Sequence, residues 1–121
     1  MASILLLEDN MELRTLLQQA LEYNNHQILA GASGVEGLHL LEDSGVYPDA
    51  IICDLNMPEM DGVTFIRHVR AHPEWSKAYI IILSGQEDDH DQALSAGADT
   101  YIQKPFSIFG LTALIEQNIR R

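Results

Sequence analysis

Ala50-Ile51-Ile52-Cys53-Asp54-Leu55-Asn56-Met57-Pro58-Glu59-Met60-Asp61-Gly62 sets four apolar residues against a carboxylate and then a turn-rich loop. The run 50–53 has no polar side, which suits a strand covered on both faces inside a parallel sheet. Asp54 then stands at the strand's carboxyl end. Far away in sequence, Glu8-Asp9, Ser84 and Lys104-Pro105 also follow apolar runs. If those runs are parallel strands, all of these polar groups share one edge of one sheet. That edge is where open α/β sheets bind their ligands.

The rest of the chain alternates strand and helix in the same way. Residues 4–7 read as a short apolar strand. Leu13, Leu16, Leu17, Ala20 and Leu21 recur at helical spacing over residues 11–23. A less apolar strand over 26–30 suits an edge. A helix over 33–42 carries Ser33 and Glu36 as a capping box. After the turn Gly45-Val46-Tyr47-Pro48 and the strand 50–53 come a helix over 63–70, ended near Pro73, and a strand over 79–83. A fourth helix spans about 87–95 with Gly97 just past its end, a fifth strand spans 99–103, and Ser107 caps a final helix running to the chain's end. Right-handed crossovers between such units predict a doubly wound (βα)5 sandwich with a five-stranded parallel sheet.

Composition narrows the classes. The 121 residues suffice for one domain, 1–121, and not for two. A net charge of −11 argues against direct nucleic-acid binding and against an anionic membrane surface. The start, Met1-Ala2-Ser3-Ile4-Leu5-Leu6-Leu7-Glu8, reads as neither signal peptide nor membrane span. A single cysteine makes no internal disulfide, so a reducing cytoplasm is the expected compartment. Met1 so close to the first strand reads as a native start, while the end at Arg121 suits a whole protein or an excised piece.

Glu8, Asp9 and Asp54 would converge if the first and third strands are neighbours. Clustered carboxylates repel, so a cation or raised pKa values must relieve them. Mg²⁺ suits such hard oxygen ligands and keeps waters that a phosphate can replace. Asp54 can then act as nucleophile, since aspartate forms acyl phosphates. Lys104 supplies a point charge for a phosphoryl oxygen and Ser84 a hydroxyl donor. Taken singly, each feature has a plainer reading: an acidic pair caps a helix, and a Lys-Pro dipeptide alone means little. Their joint placement at strand ends carries the functional reading.

With these residues in place, the chain resembles the receiver domain of two-component response regulators, including single-domain chemotaxis-type regulators. The segment 54–62 resembles the family's phosphoacceptor segment. Ala96-Gly97-Ala98-Asp99-Thr100-Tyr101-Ile102-Gln103-Lys104-Pro105-Phe106 resembles the segment around its lysine. The resemblance implies a flavodoxin-like fold with strand order 2-1-3-4-5. It implies that Asp54 takes a phosphoryl group from a histidine kinase or histidine phosphotransfer protein. Mg²⁺ or Mn²⁺ would be held by Glu8, Asp9, Asp54 and the backbone carbonyl of Asn56. By the same resemblance Lys104 binds phosphate, Ser84 and Tyr101 form the switch, and the Lys104-Pro105 bond is cis. The face of helix four, strand five and helix five would then control an output partner or domain whose identity the sequence does not give. On this reading the chain phosphorylates and dephosphorylates itself and turns over no separate substrate. Gln86 and Asn56 would flank the route of attacking water.

The chain departs from the transcription-factor branch of that family. Residues 86–92 lack Lys and Arg, Thr100 follows Asp99, and the last helix is basic only at Arg120 and Arg121. This argues against a charged dimer through the helix four, strand five and helix five face. His68 and His72, at i and i+4, lack a third ligand nearby and read as surface residues. Cys53 reads as an inert strand residue, and Asp88, Asp89 and Asp91 as a solvated first turn. Trp75 falls at the far end of the sheet from Asp54. Phe109 and Leu111 cannot both face the core. Among rival functions, an aspartyl-phosphate hydrolase would want an acid two residues after its nucleophile, where Asn56 stands. A flavin or nucleotide module would want glycines where Glu8-Asp9-Asn10-Met11-Glu12 is acidic. A third rival is a degenerate receiver serving as a constitutive scaffold, and the intact site residues argue against it.

Overall fold

The computed structural model describes residues 2–85 and 90–119. In chain order the elements are β1 (Ser3–Leu7), α1 (Met11–Tyr23), β2 (Gln27–Gly31), α2 (Gly34–Ser44), β3 (Ala50–Asp54), α3 (Gly62–Ala71), β4 (Tyr79–Ser84), α4 (His90–Ala96), β5 (Thr100–Gln103) and α5 (Ile108–Asn118). The strands form one sheet in the order β2-β1-β3-β4-β5, and every neighbouring pair is parallel. The less apolar β2 lies at an edge, as expected.

Alternation along each strand splits the core into two layers. Leu5, Leu7, Ile51, Cys53, Ile80 and Ile82 point to one face, where Phe65, Ile66 and Val69 of α3 and Ala93 of α4 cover them. Ile4, Leu6, Ala50, Ile52, Ile81 and Leu83 point to the other, against Leu17 and Leu21 of α1 and Leu111 and Ile115 of α5. Leu111 is buried and Phe109 is 86% exposed, so of that pair Leu111 faces the core. The strand registers decide what meets at the carboxyl edge. Leu7 pairs with Cys53, so Glu8 and Asp54 follow side by side. Asp54 pairs with Leu83, and Ser84 with Gln103, the residue before Lys104.

Several boundaries differ from the sequence expectations. His26 precedes β2 instead of starting it: its buried ring accepts the Ala2 N–H at Nδ1 and faces Glu116 of α5 through Nε2. Ser33 caps α2 by accepting the Glu36 N–H, but the Glu36 carboxylate reaches past Ser33 to the Ala32 N–H. The helix also continues to Ser44, with Gly45 as its left-handed cap at φ 69°. Asp99 stands outside β5, its carboxylate accepting the Ile80 N–H and a guanidinium N–H of Arg70. The described α4 starts at His90; the expected start near Glu87 and the Gln86 position lie outside the described residues. Likewise α5 is described to Asn118 with Ile119 as its cap, and Arg120 and Arg121 lie outside.

The amino edge of the sheet is tied by one side chain. Arg70, at the end of α3, donates to the carbonyls of Gly97, Ser76 and Ala78 at 2.7–2.9 Å and to Asp99 at 2.8 Å. Gly97 sits at φ +121°, and an added Cβ would come within 2.9 Å of the Arg70 side chain. Trp75 lies in this region, 6% exposed, with its ring stacked on His72 at 3.6 Å. His72 also accepts the Glu74 N–H at Nδ1, 3.2 Å away. Among the described residues no helix is long and apolar enough to cross a membrane.

Candidate functional site

Each side chain of the site is delivered by a strand end. Glu8 follows β1, and its backbone N–H donates to the Gly31 carbonyl at 3.0 Å, which extends the β1–β2 ladder by one step. Asn10 then caps α1 by accepting the Leu13 N–H. The cap is therefore Asn10, and neither acid of the Glu8-Asp9 pair is used for it. Glu8 instead turns inward and is fully buried, while Asp9 stays exposed. Asp54 ends β3 and is 6% exposed.

The loop after Asp54 is held by its own backbone. The Gly62 N–H donates to the Leu55 carbonyl at 2.7 Å, and a Cβ on Gly62 would meet the Leu55 Cα at 2.8 Å and the Asp54 carbonyl at 2.9 Å. Only glycine allows that approach. Glu59 takes a left-handed φ of 69° within the same loop, a conformation uncommon for a side chain of its size. Asp61 caps α3 through the Thr64 N–H.

Carboxylate oxygens of Glu8, Asp9 and Asp54 all lie within 4.8 Å of one another. This is the group of three possible metal ligands among the described residues. Lys104, after β5, reaches across with its ammonium, donating to Glu8 Oε1 at 3.0 Å and to Asp54 Oδ2 at 2.8 Å. Asp54 Oδ1 accepts the Asn56 N–H at 3.1 Å, and Glu8 Oε2 accepts the Asn10 N–H at 3.0 Å. The Lys104-Pro105 bond is cis, and the Lys104 N–H donates to the Ser84 carbonyl at 2.7 Å.

The electrostatics follow from this crowding. Burial pushes the Glu8 carboxyl above its ordinary range; the Asn10 and Lys104 hydrogen bonds oppose that, and the Asp54 charge adds to it. For Lys104, burial alone would lower the pKa, but the bonds to Asp54 and Glu8 outweigh it and the net shift is upward. The ammonium is thus firmly charged where the carboxylates need it. Cys53, fully buried beside this negative field, has a thiol pushed well above its usual range, chiefly by burial. It is inert as a nucleophile.

Ser84 ends β4 and is fully buried. Tyr101 lies on β5 opposite Ile82 and is half-buried. Asn56 is exposed in the loop after Asp54. The fold therefore brings Glu8, Asp9, Asp54, Asn56, Ser84 and Lys104 to one edge, with Tyr101 on β5 two register positions behind the Ser84–Gln103 pair. Sequence reasoning missed Arg14, whose guanidinium donates to the Glu8 carbonyl at 2.8 Å and adds a second positive group beside the acids. Its only signal was a lone base one turn after the acidic pair.

The donor set suits a small hard cation. It consists of oxygen ligands alone, one of them exposed enough to leave room for water, and the buried pair is already compensated by a cationic group. The same edge can present a nucleophilic carboxylate, a positive charge and a hydroxyl to a phosphoryl group.

Comparison with known proteins agrees with this geometry. The family model for the response regulator receiver domain matches residues 4–116. The KDP operon transcriptional regulatory protein KdpE of Escherichia coli is 38% identical over all of this chain, which covers 52% of that protein. The sensor histidine kinase CheAY of Helicobacter pylori is 29% identical over 97% of the chain, covering 15% of its own length. The chain thus spans about half the length, or less, of these curated relatives. Among solved structures, a response regulator from Chloroflexus aurantiacus superposes with TM-score 0.89 at 29% identity, covering 99% of this chain and 98% of that one. The receiver domain of sensor histidine kinase PA1611 from Pseudomonas aeruginosa gives 0.88 at 28% identity, covering 99% and 98%, and that structure has a magnesium ion coordinated in its active-site cleft. The chain belongs to the response regulator receiver domain family.

Proposed function

We propose that Asp54 is the phosphoacceptor of this receiver, taking a phosphoryl group from a histidine kinase or a histidine phosphotransfer protein. The observation that carries this reading is the state of Asp54: a nearly buried carboxylate fixed on one oxygen by the Asn56 N–H and on the other by the Lys104 ammonium. Attack of an Asp54 oxygen on the donor's phosphorus forms a phosphorus–oxygen bond as the phosphorus–nitrogen bond to imidazole breaks. The loop bond from Asn56 orients the carboxylate. Lys104 already spans Glu8 and Asp54, so it can pass its hydrogen bond from Asp54 to a new phosphoryl oxygen without moving far. The Ser84 hydroxyl is a donor for another oxygen on the same edge.

Glu8, Asp9, Asp54 and the Asn56 backbone carbonyl would hold Mg²⁺, or Mn²⁺, at this edge. When bound, the divalent cation neutralises phosphoryl charge and orients its oxygens. The rest belongs to the chain's own groups. The new charge draws Ser84 and Lys104 toward it, Tyr101 moves into space that Ser84 leaves, and the face of α4, β5 and α5 changes toward an output partner or domain. The chain acts by its own phosphorylation and dephosphorylation and needs no separate substrate, as one receiver domain over 1–121 in the cytoplasm.

A charged dimer through that face fits poorly. Asp99 is already engaged by Arg70 and the Ile80 N–H, Thr100 is bonded to Tyr79, and α5 has no Lys or Arg between Ile108 and Asn118. A beryllofluoride-dependent dimer with this face buried, seen by light scattering and crystallography, would overturn this reading.

The phosphoacceptor is tested by intact-mass spectrometry after incubation with acetyl phosphate. Wild type should gain one phosphoryl group only with Mg²⁺, and Asp54→Asn should gain none. An adduct persisting in the mutant would reject the assignment. No adduct in wild type, followed by no beryllofluoride binding, would favour a constitutive scaffold.

A further inference from the structure

We propose that Arg14 is a positioning residue for the candidate metal ligands: by holding the carbonyl of the peptide that joins Glu8 to Asp9, it sets the directions of both acids and so governs divalent-cation affinity. The inference rests on the reading of Glu8, Asp9 and Asp54 as the Mg²⁺ ligands.

The need for Arg14 comes from the way β2 ends. In a parallel ladder, alternate residues of a strand turn both their N–H and their C=O to the same neighbour. The Ala2 carbonyl accepts the Gln27 N–H at 2.8 Å, and the Glu8 N–H donates to the Gly31 carbonyl at 3.0 Å, so Glu8 faces the β2 side. One step further along, the Glu8 carbonyl would take the Ser33 N–H. β2 ends at Gly31, however, and Ser33 serves as the cap of α2. Arg14 Nη1 donates to the Glu8 carbonyl instead, at 2.8 Å. It does so from a fixed base. The Arg14 N–H bonds the Asn10 carbonyl at 2.9 Å, and α1 buries Leu17 and Leu21.

Holding that oxygen holds more than one atom. A peptide unit is planar, so its oxygen, carbon, nitrogen and both flanking Cα atoms turn together. The unit held by Arg14 has Glu8 at one end and Asp9 at the other. Glu8 has further anchors in the Asn10 N–H and the Lys104 ammonium. Asp9 is exposed, and among the described residues no hydrogen bond holds its carboxylate. Its place within 4.8 Å of the other two carboxylates therefore depends on the backbone leading to it. Arg14 makes no ion pair among the described residues, so it acts through the carbonyl and not on a carboxylate directly.

The test reads Mg²⁺ affinity by calorimetry. It also reads, by NMR of the metal-free protein, the Glu8 carbonyl carbon shift and the side-chain rotamer populations of Asp9. Arg14→Ala should bind Mg²⁺ more weakly by about tenfold or more, the range for groups that orient metal ligands. It should also move the Glu8 carbonyl shift and broaden the Asp9 rotamers. Arg14→Met keeps the apolar stem without the donor and should behave as Arg14→Ala does. Arg14→Lys keeps one charged donor, which is all this bond uses, and should return to within about threefold of wild type. His26→Ala removes a hydrogen bond at the other end of the sheet and should leave Mg²⁺ affinity unchanged, which separates positioning from general loss of stability.

Equal or tighter Mg²⁺ binding by Arg14→Ala and Arg14→Met overturns the proposal; tighter binding is what a mere positive charge near the acids would give on removal. Failure of Arg14→Lys to restore affinity overturns it too, as does an equal loss in His26→Ala. If wild type itself binds no Mg²⁺, the metal reading falls first. The metal-free spectra then decide Arg14 separately: an unchanged Glu8 carbonyl shift and unchanged Asp9 rotamers in Arg14→Ala remove the proposal, and changes that Arg14→Lys reverses uphold the positioning.

Discussion

The two edges of the sheet use charge in opposite ways. At the amino edge, charged side chains are bound mainly to backbone: Arg70 to three carbonyls besides its pair with Asp99, Asp99 to the Ile80 N–H, Asp49 to the Ser3 N–H at 2.9 Å. At the carboxyl edge, charged side chains face one another, with Glu8 and Asp54 sharing the Lys104 ammonium. A backbone partner cannot leave without unfolding something. A shared ammonium can exchange one oxygen for another. The first arrangement fixes the frame, and the second leaves a site that can change state inside it.

The sharpest way to break this contrast is Arg70→Ala. Hydrogen bonds to charged groups are worth more than neutral ones, and Arg70 makes several at once, so the loss should be about 3 kcal/mol of stability in urea unfolding. Uptake of a phosphoryl group at Asp54, measured below the unfolding transition, should be unchanged. A large fall in uptake would mean that the amino edge also takes part in switching.

His26 offers a second, smaller cut at the frame. With Nδ1 accepting the Ala2 N–H, the neutral ring carries its proton on Nε2 and donates to Glu116. His26→Ala strands the Ala2 N–H, and unfolding should register a loss of about 2 kcal/mol. Glu116→Gln keeps an acceptor at an exposed position and should cost much less.

Glu8→Gln sharpens the contrast from the other side, by making the carboxyl edge less charged. The folded pKa of Glu8 lies above its unfolded value of 4.5, chiefly because it is buried. The folded state therefore holds that proton more tightly, and this favours folding below the unfolded pKa. The advantage is lost as pH rises through the folded pKa. Glu8→Gln should gain on wild type in unfolding experiments at pH 7 and lose that relative gain toward pH 4. Equal curves at both pH values would show that Lys104 fully relieves the buried charge. The smallest expected effect is none. Trp75 belongs to the amino edge, so its emission should not change with Mg²⁺ or beryllofluoride; quenching that Asp54→Asn abolishes would link the edges.

Much of this is readable in the sequence. Apolar runs of four or five residues alternating with helical periodicity declare a parallel sheet, because few other arrangements bury strands that are apolar on both faces. The residues that end those runs fall on one edge by topology alone, which is why Glu8, Asp54, Ser84 and Lys104 were legible together. Strand order was not readable in this way: alternation fixes parallel pairing but not which strand lies beside which, and the order came from resemblance. Arg70, Arg14 and His26 were not legible either. Their partners are mostly backbone groups, which every residue carries, so no sequence pattern marks them.

The reach of Lys104 has a consequence for synthesis. Its two bonds span 96 and 50 residues of chain. A growing polypeptide that has folded β1 and β3 on the ribosome already sets Glu8 beside Asp54, but without the ammonium that reconciles them. The site is finished only when the last strand has emerged, so an incomplete chain should be a poor acceptor for any kinase it meets, and signalling would wait on translation.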